Sequence, residues 1–364
     1  MKILHIINSL ETGGAEKLLV DTLPLYAARG LSVDLLLLNG SSQPFLKELA
    51  QQNCCQIFSL GTSSLYHPKY IFKIIPFLRK YDLLHVHLFP THYYVVLAKL
   101  FSGSKVKLIL TEHNGSNRRL DNPWFRKLDK HIYKLFSKVI CISPEIKNIM
   151  VRHSGLAAER FEVIENGVNV SQISNAEGYD RENIHESLTN TDKVLIQIAA
   201  FREQKDQQTL IRSLKNLPQN YKLLLVGEGE LKERCMQLVI ELGLEQRTLF
   251  LGVRMDIPQL LKSADIVVLS SRYEGLSLSS IEGMASGRPF IASAVPGLTE
   301  LVKGAGILFP LGDDKKLAAE ILHLCEDEAH YDKIVEQCLS RAQQYDISTM
   351  VAKHISLYEE LTRE

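Results

Sequence analysis

The chain has 364 residues, 45% of them hydrophobic and 23% charged, which excludes a disordered chain and suits two hydrophobic cores better than one. Lys plus Arg equals Asp plus Glu at 42 each, so the net field expected of a nucleic-acid binder is missing. No apolar run approaches the roughly 18 residues of a membrane-spanning helix. Met1-Lys2-Ile3-Leu4-His5-Ile6-Ile7 leads straight into a strand with no cleavage-type site behind it, and a cytoplasmic address is expected. The six cysteines, two of them adjacent at Cys54 and Cys55, show no metal-ligand rhythm and are expected as reduced thiols.

Along the chain, β-branched apolar runs alternate with helix-period segments, the pattern of parallel sheets with crossover helices. In the first half, strands are predicted at 2–8, 32–38, 56–60, 83–87, 107–112, 138–142 and 161–164, with helices at 15–28, 71–80 and 144–151 among those between them. The second half restarts the pattern, with strands at 193–199, 221–226, 248–250, 266–269, 290–293 and near 306–309. A polar stretch without clean periodicity predicts a linker at 171–192, between a first domain at 1–170 and a second at 193–345. Residues 347–361 read as a helix beyond a domain already complete, so 346–364 is expected to pack back on the first domain. The predicted class is α/β: two doubly wound, Rossmann-like parallel-sheet domains facing a cleft, with ligands at the carboxyl ends of the strands.

Neutrality hides an asymmetry. Residues 1–170 hold 21 Lys/Arg against 13 Asp/Glu, and 171–364 hold 21 against 29. One basic cluster, Arg118, Arg119, Arg126, Lys127, Lys130, Lys134 and Lys138, is interleaved with Trp124, Phe125, Tyr133 and Phe136; a second is Lys69, Lys73, Arg79 and Lys80. Two readings stand: solvated faces of amphipathic helices, or a surface that meets anionic lipid headgroups, with Arg118, Arg119, Arg126, Lys127, Lys130 and Lys134 facing the membrane.

The loops after the strands carry the chemistry. Gly13-Gly14 follows the first strand and opens a helix, allowing close backbone approach and offering free amides to an anion, though it is not a GxGxxG fingerprint. His85 and His87 share one strand face, but no third ligand is spaced to complete a metal site, and none is expected. His113 closes its strand where a side chain would meet a ligand hydroxyl; a structural histidine is the plainer alternative. Arg202 and Lys205 suit a diphosphate, or form a solvated pair. Gly252-Val253-Arg254 follows another strand. The strongest run spans Ser271 to Pro289: Glu274 in a loop, Gly275 to Ser277 opening a helix, then Leu278, Ser279 and Glu282, the last expected about two turns beyond Glu274. Two carboxylates flanking a helix N-terminus could hold two sets of sugar hydroxyls around a phosphate.

At this run the sequence resembles the retaining GT-B glycosyltransferases typified by glycogen synthase and bacterial mannosyltransferases. The likeness extends from Gly13-Gly14 through His113 and Lys205 to Pro296-Gly297-Leu298-Thr299-Glu300. It is most similar to members that build capsule, exopolysaccharide or O-antigen repeats on a lipid carrier. The resemblance implies that Gly14 amides meet donor phosphates, His113 the transferred sugar, Lys205 the diphosphate, Glu274 the sugar hydroxyls and Glu282 the ribose. It also implies that Gly275, Leu276, Ser277, Leu278 and Ser279 line the phosphate or sugar, and that Gly252 to Arg254 lie near the base. Two departures are visible: Ala200 stands where an arginine is common, so that either Arg202 replaces it by a different reach or the diphosphate is held less well, and Gly283 stands where alanine usually follows the second glutamate.

The activity so implied is metal-independent, retaining transfer of a sugar from a nucleoside diphosphate donor to a saccharide or lipid-linked acceptor. No cofactor and no nucleic acid is expected, and a peripheral place on the inner membrane face is expected alongside the cytoplasmic one. A sugar-nucleotide 2-epimerase of related fold and a non-catalytic donor-binding homologue are the alternatives, since fold alone does not fix function.

Overall fold

The structure, a computed structural model, describes residues 1–41, 43–62, 64–113 and 122–363. Arg118 and Arg119 therefore lie outside the described residues. The chain divides into two units, Met1–Gly167 with Ile347–Glu364, and Val168–Asp346.

The first unit carries β1 (Lys2–Ile7), β2 (Ser32–Leu37), β3 (Ile57–Ser59), β4 (Leu83–His87), β5 (Lys107–Glu112), β6 (Lys138–Cys141) and β7 (Phe161–Val163). They form one parallel sheet in the order β3-β2-β1-β4-β5-β6-β7. Ile3, Leu4, Ile6 and Ile7 are all at 0% exposure, so both faces of β1 are covered, as a parallel sheet with crossover helices requires. The helix Gly14–Ala28 packs on one face together with the last helix, Ile347–Arg363, whose Met350, Val351, Leu357, Tyr358 and Leu361 join the same core as Ile3, Ile7 and Leu23. The helix expected at 71–80 is instead α-helical over Lys69–Ile74 and 3-10 over Ile75–Arg79. Pro76 explains the change: it has no amide to give and its ring crowds the preceding turn.

The second unit repeats the design with β8 (Lys193–Ile198), β9 (Tyr221–Val226), β10 (Thr248–Gly252), β11 (Ile266–Leu269), β12 (Phe290–Ser293) and β13 (Ile307–Phe309), ordered β10-β9-β8-β11-β12-β13 and parallel. The order reverses direction at β8 and β11, where a crevice opens at the carboxyl ends in such sheets. The segment 171–192, expected as a linker, belongs to this unit. It carries the short helices Val170–Ser174 and Arg181–Ile184, and Ile173, Ile184 and Leu188 are buried in the second core. Helices this short bury too few residues to leave a periodic trace in sequence. Among the described residues, no helix is long and apolar enough to cross a membrane.

Candidate active site

In the second unit, Lys205 and Glu274 come from loops at the carboxyl ends of two adjacent strands, β8 and β11. Lys205 Nζ is 2.6 Å from Glu274 Oε1, with only 6% of the glutamate side chain exposed. The same carboxylate oxygen accepts from Ser271 Oγ at 2.5 Å, and Gln204 Nε2 reaches its other oxygen at 3.4 Å and the Tyr273 carbonyl at 2.9 Å. An ammonium has three N–H bonds, so Lys205 can keep Glu274 and still donate to a second anion.

Backbone geometry aims both side chains. Asp206, directly after Lys205, adopts a left-handed conformation at φ 42°, held by Ser270 Oγ on its carbonyl at 2.9 Å and Thr209 Oγ1 on its carboxylate at 2.8 Å. That strain persists only because its surroundings over-determine it. The Glu274 loop is braced by Pro296-Gly297: the Glu274 amide donates to the Pro296 carbonyl at 3.3 Å, and Gly297 sits at φ 82°. A Cβ on Gly297 would lie 2.2 Å from the Glu274 carbonyl oxygen. Gly297 is in turn fixed by Glu300, whose Oε2 accepts from its amide at 2.7 Å.

The helix after Glu274 runs over Leu278–Ala285, not from Gly275. Residues 275–277 are loop, and Ser277 caps the helix, its Oγ accepting from the Ser280 amide at 3.3 Å. The expected two turns between the glutamates therefore shorten: Glu282 is the fifth helical residue, half-buried, one turn above the first amides. Helix-opening residues at 275–277 were expected because glycine and serine there suit a cap as well as a first turn. Gly283 is a packing requirement: a Cβ there would meet Phe290 at 2.8 Å and Val267 at 2.9 Å.

Arg202 does not join this pair. It is exposed and lines a hollow of about 110 Å³ with Arg234, Arg272 and Asp206; its carbonyl accepts from the Lys205 amide at 2.9 Å, but among the described residues no side-chain hydrogen bond or ion pair links its guanidinium to Lys205 or Glu274. Ala200 is engaged through its backbone, its carbonyl accepting from Gln207 Nε2 at 3.0 Å. Arg254 is bidentate to Asp256, and this pairing holds the Asp256 carboxyl below its usual range. Val253 and Met255 beside it are 41% and 42% exposed, leaving apolar surface at the end of β10.

In the first unit, Gly13 caps and Gly14 begins the helix after β1, and His113 follows β5, both at the carboxyl edge of the sheet. His113 is half-buried, and its Nε2 lies 3.2 Å from His87 Nδ1. Sequence spacing offered no third ligand beside His85 and His87. The sheet supplies one: His5 pairs with His85 across β1 and β4, and one nitrogen from each of the three rings lies within 4.8 Å of the others. Both His85 nitrogens are already bonded, Nδ1 to Tyr358 at 2.6 Å and Nε2 to Thr111 at 2.6 Å, so the arrangement is a hydrogen-bonded set of rings.

Of the basic cluster, Arg126, Lys127, Lys130 and Lys134 are exposed on or beside the helix Pro123–Tyr133, with Trp124 at 66% exposure. Arg126 also donates to the His153 and Arg152 carbonyls at 3.1 and 3.2 Å, capping the helix Pro144–Ser154. A helix C-terminus leaves carbonyls that a guanidinium satisfies.

With this geometry in place, two families match: "Glycosyltransferase Family 4" over residues 12–172 and "Glycosyl transferases group 1" over residues 180–341. Together they span most of the chain. The chain belongs to the group 1 glycosyltransferases. This glycosyltransferase is 26% identical, over 78% of its length and 76% of the relative's, to the N-acetyl-alpha-D-glucosaminyl L-malate synthase of Bacillus anthracis. It is 27% identical, over 86% of its length and 84% of the relative's, to the N-acetylgalactosamine-N,N'-diacetylbacillosaminyl-diphospho-undecaprenol 4-alpha-N-acetylgalactosaminyltransferase of Campylobacter jejuni. Its fold matches Anabaena HepE, solved with UDP and glucose, at a TM-score of 0.85 and 24% identity over 99% of both chains. The fold is thus that of the GT-B glycosyltransferases, with two Rossmann-like parallel-sheet units.

Proposed function

We propose that this glycosyltransferase takes its sugar from a nucleoside diphosphate sugar and passes it, with retained anomeric configuration and no metal ion, to a hydroxyl of a lipid-linked glycan. The observation that carries the reading is the Lys205–Glu274 pair, whose glutamate stands in the loop that leads into the capped helix Leu278–Ala285. Cleaving the bond between sugar and phosphate builds negative charge on the departing diphosphate, which Lys205 and the first amides of Leu278–Ala285 can take. Glu274, acceptor-only when ionised, suits sugar hydroxyls. Glu282 suits the ribose, Val253 and its neighbours the base, Gly14 the phosphates, and His113 the transferred sugar. The leaving phosphate itself then helps deprotonate the acceptor on the same face.

HepE holding UDP and glucose supports the donor class, and the Campylobacter relative's diphospho-undecaprenol acceptor supports the lipid-linked one. The Bacillus relative is named for L-malate, so the acceptor is not common to the relatives. The exposed face of Trp124, Lys127, Lys130 and Lys134 favours an acceptor presented at an anionic membrane surface, and with it a peripheral place on the inner face.

The test begins with thermal shifts against uridine, guanosine and adenosine diphosphate sugars. The donor that binds is then incubated with a lipid-linked diphosphate glycan, and the product anomer is read by NMR. Transfer with retention, unchanged by chelator, is the expected result. A 2-epimer from donor alone, or binding without transfer to any acceptor, would overturn it, and strong loss with chelator would overturn the metal-free part.

A further inference from the structure

Strand periodicity puts His5, His85, His87 and Thr111 on one face of the first sheet, beneath Tyr26 of one covering helix and His354 and Tyr358 of the other. Two of these rings, His5 and His87, run in file with His113 to the carboxyl edge of the sheet. His5 Nδ1 is 3.2 Å from His87 Nε2, and His87 Nδ1 is 3.2 Å from His113 Nε2. At the inner end, His5 is fully buried and its Nε2 has no hydrogen-bond partner among the described residues. At the outer end, His113 Nδ1 has no hydrogen-bond partner among the described residues.

Burial keeps these rings neutral, with His5 near about 3, His113 near about 4 and His87 well below the usual imidazole value. A neutral imidazole carries one N–H and one bare nitrogen. His87 therefore donates at one end and accepts at the other, and both bonds of the file point the same way. If they pointed inward, His5 Nε2 would be a buried N–H with nothing to accept it. If they point outward, it is a bare lone pair. A buried donor without an acceptor is the rarer and costlier defect, so the protons point outward.

We propose that His5 and His87 are positioning residues that fix His113 as its Nδ1–H tautomer, so that it meets the transferred sugar as a donor to an oxygen. This rests on the reading in which His113 contacts that sugar. An unconstrained histidine favours the opposite, Nε2–H form, so the file works against the ring's own preference. The consequence is one of specificity: His113 selects an accepting sugar oxygen and cannot take a proton from a hydroxyl at Nδ1.

The experiment is a long-range proton–nitrogen correlation spectrum of the full chain labelled with nitrogen-15 histidine, with His113 assigned by its loss in His113→Gln. The expected wild-type pattern is neutral Nδ1–H. A Nε2–H or doubly protonated His113 would overturn the proposal. His87→Phe should release His113 toward the Nε2–H form and lower kcat by about tenfold with little change in donor KM, the scale of one hydrogen bond. His87→Asn, which can still donate from a similar position, should restore both. Should His87→Phe fail to fold, the wild-type spectrum and His87→Asn still decide the matter. If the tautomer is as stated but His113→Gln turns over normally, the sugar-contacting role falls and the positioning of the ring stands.

Discussion

Lys205 Nζ and Glu274 Oε1 stand 2.6 Å apart, joined from loops that are 69 residues distant in sequence. Each holds the other in place before any ligand arrives, so removing either disturbs both. Glu274→Gln should lower kcat by about 10²–10³-fold, the scale of one preorganised charge-stabilising group, with the fold intact. Lys205→Met should cost about 1–3 kcal/mol of stability, because it strips the cation from a carboxylate that is mostly buried. A double-mutant cycle in a transfer assay and in thermal melts separates the two effects; additive losses would show that the pair does not act together.

Gly297→Ala should cripple transfer without touching any group proposed to meet the donor. The added carbon would lie 2.2 Å from the Glu274 carbonyl oxygen at a backbone angle of 82°, so the loop bearing Glu274 must move. A stability loss of about 1–3 kcal/mol is expected from the strained backbone. Wild-type kcat in this variant would mean that the loop position does not govern the chemistry.

Gly283→Ala should fail to deliver the ~1 kcal/mol that alanine normally adds to a helix interior. The new methyl would press on Phe290 and Val267, both buried, and the variant should melt below the wild type. Pairing it with Phe290→Leu should recover stability; a simple gain in the single variant would show that the helix can lift away from the sheet.

Acid should weaken the first unit well before carboxylates titrate. Burial lowers His5 to about 3 and His354 to about 3, and His113 to about 4 against the opposing charge of Glu112; His85 and His87 are held well below the usual value, also by burial first. In the unfolded chain each titrates near about 6.5. Their neutral burial is therefore fully favourable above about 6.5, and stability falls as pH drops toward about 4, by about 1.4 kcal/mol per pH unit for each histidine the folded state leaves unprotonated. Thermal melts from pH 7.5 to 5 should show a steep decline, made shallower by His354→Gln. A flat profile would mean that these rings protonate in the folded state.

The exposed face of the helix Pro123–Tyr133 gives a test at vesicles. Near an anionic surface each lysine contributes about 1 kcal/mol, so reversing Lys127, Lys130 and Lys134 to Glu should weaken binding to phosphatidylglycerol vesicles by more than about a hundredfold. Arg126 is left in place because it caps a neighbouring helix. Equal sedimentation of wild type and variant would return this face to ordinary solvated surface.

The sheets were legible because most of their strands are largely apolar runs bounded by turn residues, so Leu83–His87 and Tyr221–Val226 could be read to the residue. Glu274 and Lys205 were legible as types in loops after strands. Their union was not, since nothing at Ser271 or Gln204 announces a partner on the neighbouring strand. The helix start at Leu278 was misplaced because Ser277 reads equally as cap or first turn. The histidine file was half visible: two positions apart on one strand fixes a shared face for His85 and His87, but His5, Tyr26, His354 and Tyr358 enter only through sheet order and the last helix.

That last helix also sets a timetable for biosynthesis. Tyr358 and His354 close over the rings of the opening strands, so the unit begun first cannot be finished until residues 347–363 leave the ribosome. The middle of the chain, made later, can fold sooner. Until then the nascent first sheet shows an apolar face to the cell, and it is there, rather than in the second unit, that a chaperone would find its hold.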